Sequence, residues 1–289
     1  MKPRLILVAA LFAGVPASKT LAADPPSFPP HTIVNSQLRV LPRNADGREY
    51  QLHVGLPPSY AKDKDRRYPV VFVTDGYWDF EKMHVIRGSL VYDKVVPEFL
   101  IVGLGYPGEN LDYGRMRRWE LSPVSFDGDP RTGRAENFLR TLETEIIPFV
   151  EREYRTDPAN RILAGASLGG LFTLYAMYSK PSLFSGYVAA TPAVVLGNDW
   201  LLDYEEAFVG KKRTLSTRLF VSVGENESPA FRRAIIRYHE RVSSREHDGL
   251  AYQFRVIDGE RHAGMQAESY TRGLRFVFKP LAPESGPSR

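Results

Sequence analysis

The sequence predicts an α/β fold: a mostly parallel central sheet with helices on both faces. Three observations carry this. Continuous apolar runs of strand length, "YPVVFVT" (Tyr68–Thr74) and "FLIVGL" (Phe99–Leu104), alternate with segments of helical period, as strands buried on both faces do. At "RILAGASLGGLFTLY" (Arg161–Tyr175) a strand-like run passes into a helix-like one through closely spaced glycines. The 289 residues, 43% of them hydrophobic, suffice for one large α/β domain, with no repeat and no linker to divide it.

In chain order, Ile33–Leu41 and Tyr50–Leu56 read as two strands paired in a hairpin, followed by the buried strands Tyr68–Thr74 and Phe99–Leu104. Ala135–Tyr154 places Phe138, Leu139, Leu142, Ile146, Ile147 and Val150 at helical spacing. Arg161–Ala166 is a strand, Leu168–Tyr178 a helix, and Gly186–Ala190 a short strand. Leu219–Val223 is a strand before a helix over Pro229–Ser244. Ala251–Ile257 is the last strand and Ser269–Phe278 the last helix. Such sheets carry their sites at the carboxyl ends of the strands.

The domain is expected over 33–281. Residues 1–23 have the layout of a secretory signal: a basic start (Met1–Arg4), an apolar stretch (Leu5–Val15) and a small-residue end at Ala23. Residues 24–32 are a proline-rich leader and 282–289 a polar, flexible tail. The protein is therefore expected to be exported, periplasmic or secreted, with no stable membrane insertion after signal removal. The formal charge of +4 belongs largely to the precursor. Lys2, Arg4 and Lys19 leave with the signal, so 35 basic residues face 34 acidic ones. That balance makes no case for nucleic acid. Cysteine is absent, which excludes a disulfide framework and a thiolate metal site. No metal or cofactor is implied, and no feature specifies an oligomeric state.

Gly165-Ala166-Ser167-Leu168-Gly169 matches G-x-S-x-G in the strand-to-helix context that gives the motif its meaning. A sharp turn there strains the serine backbone and lifts its Oγ over the sheet edge. The helix from Leu168 aims its first amides at the same spot. A serine hydroxyl needs a base to take its proton. His262, after the last strand, stands where that base is expected. His239 and His247 are expected to be solvated, and His84 structural. The orienting acid should follow Leu219–Val223. "GENES" there offers Glu227, which is preferred, and Glu225, while Asp258 reads as a turn residue. A second oxyanion donor should come from "TDGYWDF", where Gly76 lets the backbone turn. The Tyr77 amide is the candidate beside that of Leu168, and Trp78 and Phe80 are expected to wall the pocket. "GRMRRWELSP" (Gly114–Pro123) reads as a loop in which Arg117, Arg118 and Trp119, with Arg115, would suit a ring-bearing anion; a structural salt bridge is the plainer reading.

At these residues the chain resembles the putative-esterase branch of the α/β-hydrolases, which takes in esterase D, the mycolyltransferase antigen 85 proteins and the IroE-type siderophore esterases. The resemblance is densest in "YPVVFVTDG", "RRWELSP", the block from "AENFLRTLETEIIPFV" through "AGASLGGLFTLYAMYSKPSLFSGYVAATPAV", and "DGERHAGMQAESYTRGLRFVF". It implies Ser167 as nucleophile, His262 as base, and the Tyr77 and Leu168 amides as oxyanion hole. The resemblance implies that siderophore esterases of this type work with little or no help from an acid, so whether Glu227, Glu225 or no acid completes the set stays open at this point. The family's "SP" after the next strand is here Thr191-Pro192. The expected function is an exported serine carboxylic-ester hydrolase acting on a small-molecule ester through an acyl-serine, with siderophore trilactones as candidate substrates. An acyltransferase or an acetyl or feruloyl esterase of the same fold is the alternative. A non-catalytic binding protein is the alternative from another class, and a retained nucleophile elbow argues against it.

Overall fold

The computed structural model describes residues 31–125, 128–211, 214–245 and 247–282. The expected signal, most of the leader and all of the tail after Ala282 lie outside the described residues. Eight strands form one sheet: β1 (Ser36–Val40), β2 (Gln51–Gly55), β3 (Tyr68–Val73), β4 (Leu100–Gly105), β5 (Thr156–Ala166), β6 (Gly186–Ala190), β7 (Thr217–Gly224) and β8 (Leu250–Ile257). Their order is β1-β2-β4-β3-β5-β6-β7-β8. β1–β2 and β2–β4 are antiparallel, and every pair from β4–β3 onward is parallel.

The continuous apolar runs are explained by two cores, one on each face of the sheet. Along β3, Val70 and Phe72 enter one core and Val71 and Val73 the other. Along β7, Leu219, Val221 and Val223 face one way and Phe220 the other. Helices α3 (Ala135–Thr141), α4 (Ile147–Glu153), α5 (Leu168–Ser179), α6 (Leu196–Gly210) and α7 (Pro229–Ser243) close the first core with Phe138, Val150, Phe172, Leu201 and Tyr238. α1 (Gly76–Tyr92) and α8 (Gln266–Val277) close the second with Phe80, Met83, Tyr270 and Leu274. This is the α/β-hydrolase fold.

Four places differ from the sequence expectation. The helix expected over Ala135–Tyr154 is α3 joined to α4 through a π-helical turn, Leu142–Ile146. "TDGYWDF" does not stay a loop: Gly76 opens α1. That helix buries Phe80, Met83, Arg87 and Leu90, and the arginine in this face disguises its period. Arg87 is tolerated there because its guanidinium donates to the Gly55 and Phe99 carbonyls at 2.8 and 3.1 Å; burial pulls it down to about 10. "GRMRRWELSP" is not a loop either. α2 (Tyr113–Glu120) runs through it, capped by the Asp112 side chain on the Arg115 amide. Its single buried residue is Glu120, held by Tyr50, Tyr106 and Arg48. The fourth is α6, whose start runs through left-handed residues at Gly197, Asn198 and Asp199.

Candidate active site

Ser167 ends the turn from β5 into α5 at φ 57°, ψ −117°. A non-glycine residue there carries strain of about 1–3 kcal/mol and needs its surroundings to hold it. They do: the Ser167 amide donates to Ala190 O at 2.9 Å, and the Ala193 amide donates to Ser167 O at 2.9 Å. The flanking glycines are required by close approach. A Cβ on Gly165 would stand 2.5 Å from the Gly169 backbone and from Thr74 Oγ1, and one on Gly169 would meet Thr74 Oγ1 closer still.

His262 follows β8 and Glu227 follows β7. The imidazole Nδ1 lies 2.7 Å from Glu227 Oε2. A carboxylate only accepts, so Nδ1 carries the proton and Nε2 is left free to accept one. The Glu227 side chain is 5% exposed and that of His262 38%, so the acid is buried behind a ring that reaches the pocket. Glu227 also accepts from the Thr191 hydroxyl at 2.7 Å and the Ser228 amide at 2.9 Å. Burial works to raise its carboxyl; the bonds from Thr191, Ser228 and His262 overcome that and hold it below the usual carboxylate range. Phe231 packs edge-on against the imidazole, with centroids 5.1 Å apart. Thr191, noted in the sequence only as a departure from "SP", thus braces the acid. Among the described residues the Ser167 hydroxyl makes no hydrogen bond to the ring, but both line one recess of about 360 Å³.

Tyr77 and Leu168 occupy the first turns of α1 and α5, where amides have no acceptor within the helix; among the described residues neither has a backbone acceptor elsewhere. The turn that delivers Tyr77 is made by Asp75, at φ 56°, and not by Gly76. Gly76 is needed for space: its Cβ would fall 2.5 Å from Gly103 C. The buried Asp75 carboxylate takes both prongs of Arg117, Nε at 2.9 Å and Nη2 at 2.8 Å. Burial raises the Asp75 carboxyl, and the arginine fork works against that rise.

Around the recess the residues expected for substrate separate. Trp78 lines it, 55% exposed, with the Arg117 guanidinium 5.6 Å over its ring. Tyr77 stacks on Tyr113 at 3.7 Å beside it. Arg117 lines the recess with its charge already engaged by Asp75. Arg118 and Trp119 are not among the lining residues. Arg118 is exposed, and Trp119 lies between the Arg48 and Arg115 guanidinium groups, at 5.2 and 4.7 Å. One turn of α2 aims Arg117 at Asp75, Arg118 at solvent and Trp119 away from the recess, which a loop reading does not separate. Phe80 is core, packed behind α1. Lys82, unremarked in the sequence, lines the recess, held by Asp79 Oδ1 and Gln266 Oε1, each at 2.7 Å.

The rival acids and bases lie elsewhere. Glu225 accepts from the Gly259 amide at 2.8 Å and makes no contact with His262. Two histidines expected to be solvated are packed: His239 stacks on Phe254 at 4.0 Å, and the His247 side chain, 5% exposed, lies beside Glu205. His84 packs on Phe80 and Arg87. Among the described residues no group of His, Cys, Asp and Glu is arranged to hold a metal, and no helix is long and apolar enough to cross a membrane.

A buried parallel sheet, a strained serine at the strand-to-helix turn and a carboxylate-held histidine after the last strand define an α/β-hydrolase with an esterase-type site. The family model "Putative esterase" matches residues 44–254, and the chain belongs to that family; it is a carboxylic-ester hydrolase. It is 28% identical over 269 residues to the ferri-bacillibactin esterase BesA of Bacillus subtilis, covering 87% of this chain and 92% of that one. The crystal structure of the BES protein from Bacillus cereus superposes with a TM-score of 0.78 at 29% identity, over 88% of this chain and 98% of that one. The enterobactin and salmochelin hydrolase IroE does so with a TM-score of 0.67 at 25% identity, over 85% and 96%.

Proposed function

We propose that this protein is exported, that it cleaves carboxylic esters through an acyl intermediate on Ser167, and that its substrates are ester-linked siderophores. The observation that carries the mechanism is the 2.7 Å contact of His262 Nδ1 with Glu227, which leaves Nε2 as the base. As Ser167 Oγ bonds to the ester carbonyl carbon, its proton passes to Nε2. The carbonyl electron pair moves onto oxygen, facing the Tyr77 and Leu168 amides, and Glu227 stabilises the imidazolium. Collapse of the tetrahedral intermediate breaks the C–O bond of the ester, and Nε2–H gives its proton to the departing alkoxide. Water, deprotonated by the same nitrogen, then repeats the sequence on the acyl-serine and frees the acid.

The siderophore reading is supported by the activities that BesA and IroE are named for and by the ring and cation that Trp78 and Lys82 place on the recess wall. Export is supported by the layout of residues 1–23. The exposed Trp78 beside the Tyr77–Tyr113 stack would equally receive an aromatic acyl group, so feruloyl esters are the second reading. The test is labelling with a fluorophosphonate probe, then kcat/KM on enterobactin-like trilactones, feruloyl esters and acetates. Wild type should label, Ser167→Ala should not, and trilactones should be the best substrates. Labelling that survives the substitution removes Ser167 from the chemistry. An acetate or feruloyl preference removes the siderophore assignment and leaves the esterase.

A further inference from the structure

A second recess, of about 560 Å³, lies between α8 and the outer edge of β8, and it is lined by cations: Lys94, Arg255, Arg272, Arg275 and Lys279. Among the described residues no carboxylate lines it. Arg272, Arg275 and Lys279 stand at i, i+3 and i+7 on α8 and the 3₁₀ turn after it (Lys279–Leu281), so they share one face. Lys94 follows α1, and Arg255 projects from the edge strand. All five are exposed. Arg272 pairs with Glu268 at 2.6 Å; the other four have no ion-pair partner among the described residues. The whole chain carries a formal charge of only +4, so four uncompensated cations around one recess are a strong local concentration.

Its position matters as much as its charge. α1 begins with Gly76 at the catalytic recess, which Trp78 in its first turn lines, and ends at Tyr92, next to Lys94; its 17 residues span about 25 Å. α8 begins with Gln266, which lines the catalytic recess, and carries Arg275 toward its other end. The basic recess is thus at the far end of both helices from Ser167. Beside Lys279, Leu281 is an exposed apolar side chain, 38% accessible, and Phe276 lines the recess floor.

We propose that this recess docks the protein on a membrane surface by receiving the phosphate headgroups of anionic lipids. Arginine forks match phosphate oxygens in pairs, several cations near one another draw a protein to an anionic leaflet, and Leu281 offers a shallow apolar contact at the interface. Docking at this end leaves the catalytic mouth turned toward solvent. The inference is independent of which ester is hydrolysed.

The test is sedimentation of the full chain with vesicles of phosphatidylglycerol and phosphatidylcholine against vesicles of phosphatidylcholine alone, with Arg275→Ala/Lys279→Ala as variant. Wild type should bind only the anionic vesicles, more weakly as salt rises. At about fivefold per cation removed, the variant should partition roughly 25-fold less and still hydrolyse p-nitrophenyl acetate at the wild-type rate. Equal binding by wild type and variant, or equal binding to both vesicle types, overturns the proposal. So does a wild type that ignores vesicles but is protected from heat by millimolar inorganic phosphate, or that binds duplex DNA and no vesicle; the recess would then serve a soluble phosphate ester or a nucleic acid.

Discussion

Glu227 gives one carboxylate oxygen, Oε2, to two donors at once: His262 Nδ1 and the Thr191 hydroxyl both lie 2.7 Å from it. The imidazole is therefore aimed by a group that is itself held in place. Thr191 stands at φ 38°, fully buried, with its amide on Ser222 O, so the hydroxyl has little freedom to turn elsewhere. A hydrogen bond to a charged acceptor is worth about 1.5–3 kcal/mol, of which orientation of the imidazole is a part. Thr191→Val keeps the shape and deletes the donor. It should lower kcat by roughly tenfold with KM nearly unchanged, and its effect should shrink in a Glu227→Gln background. Additive losses in the double variant would separate Thr191 from the acid.

The ranking of the three catalytic candidates follows from what each holds. Ser167→Ala and His262→Ala should each cost several orders of magnitude in kcat, and Glu227→Gln less, because the amide can still receive the Thr191 hydroxyl and steer the ring. Single-turnover rates on a p-nitrophenyl ester decide this. A Glu225→Gln variant slower than Glu227→Gln would contradict the geometry, since the Glu225 carboxylate accepts from the Gly259 amide and not from His262.

Acid should loosen this arrangement in a defined direction. Glu227 sits below the usual carboxylate range because the bonds from Thr191, Ser228 and His262 outweigh its burial. A carboxyl lower in the folded than in the unfolded state adds stability that is complete above the unfolded value and fades as pH falls through the folded one. The stability difference between wild type and Glu227→Gln, measured by urea unfolding, should be widest above about pH 5 and close as pH falls below about 4. A difference that stays constant over that range would mean Glu227 is not held in its charged form.

The elbow glycines can be tested against a control in the same chain. Gly169→Ala forces a methyl onto Thr74 Oγ1 and should destabilise by about 1–3 kcal/mol. For a chain of this size that is a fall in Tm of roughly 3–10 °C. Gly88→Ala, on the exposed side of α1 with nothing within 4 Å of the new methyl, should instead gain about 0.5–1 kcal/mol. A Gly169 variant as stable as wild type would show that the turn relaxes and that the close approach is not what holds Ser167.

Which parts of this were readable in the sequence depends on where the packing signal is local. β3, β6 and β7 are buried on both faces, so their apolar runs announce them. Ser167 and His262 stand at fixed places relative to those strands. α1 was hidden because Arg87 occupies its buried face while Val85 and Tyr92 are exposed, which inverts the expected pattern. α2 buries only Glu120, so its residues look like a loop's. The choice between Glu227 and Glu225 rests on a turn of two residues that no periodicity reports. Thr191 and Lys82 act through partners 36 and 184 residues away, Glu227 and Gln266, and only the fold brings those together.

The substrate cations should behave unlike one another. Arg117 is committed to Asp75 by two hydrogen bonds, and Asp75 makes the turn that presents the Tyr77 amide. Arg117→Ala leaves a buried carboxylate without its cation beside that turn, which under the proposed mechanism should cost every ester alike, because each would pass through the same oxyanion. Lys82 sits farther along α1, bridging Asp79 and Gln266 at the recess wall, 29% exposed, and can turn toward an incoming anion without disturbing the elbow. Lys82→Met should therefore lower kcat/KM for an anionic trilactone by about fivefold to tenfold, chiefly through KM, and leave p-nitrophenyl acetate within about twofold. Arg117→Ala should lower both substrates by similar factors, chiefly through kcat. The comparison needs four kcat/KM values, two variants on two esters. If Lys82→Met slows the acetate as much as the trilactone, the lysine is part of the wall and not of the recognition. If Arg117→Ala spares the acetate, the arginine reads the substrate directly, and its bond to Asp75 must open when the ester arrives.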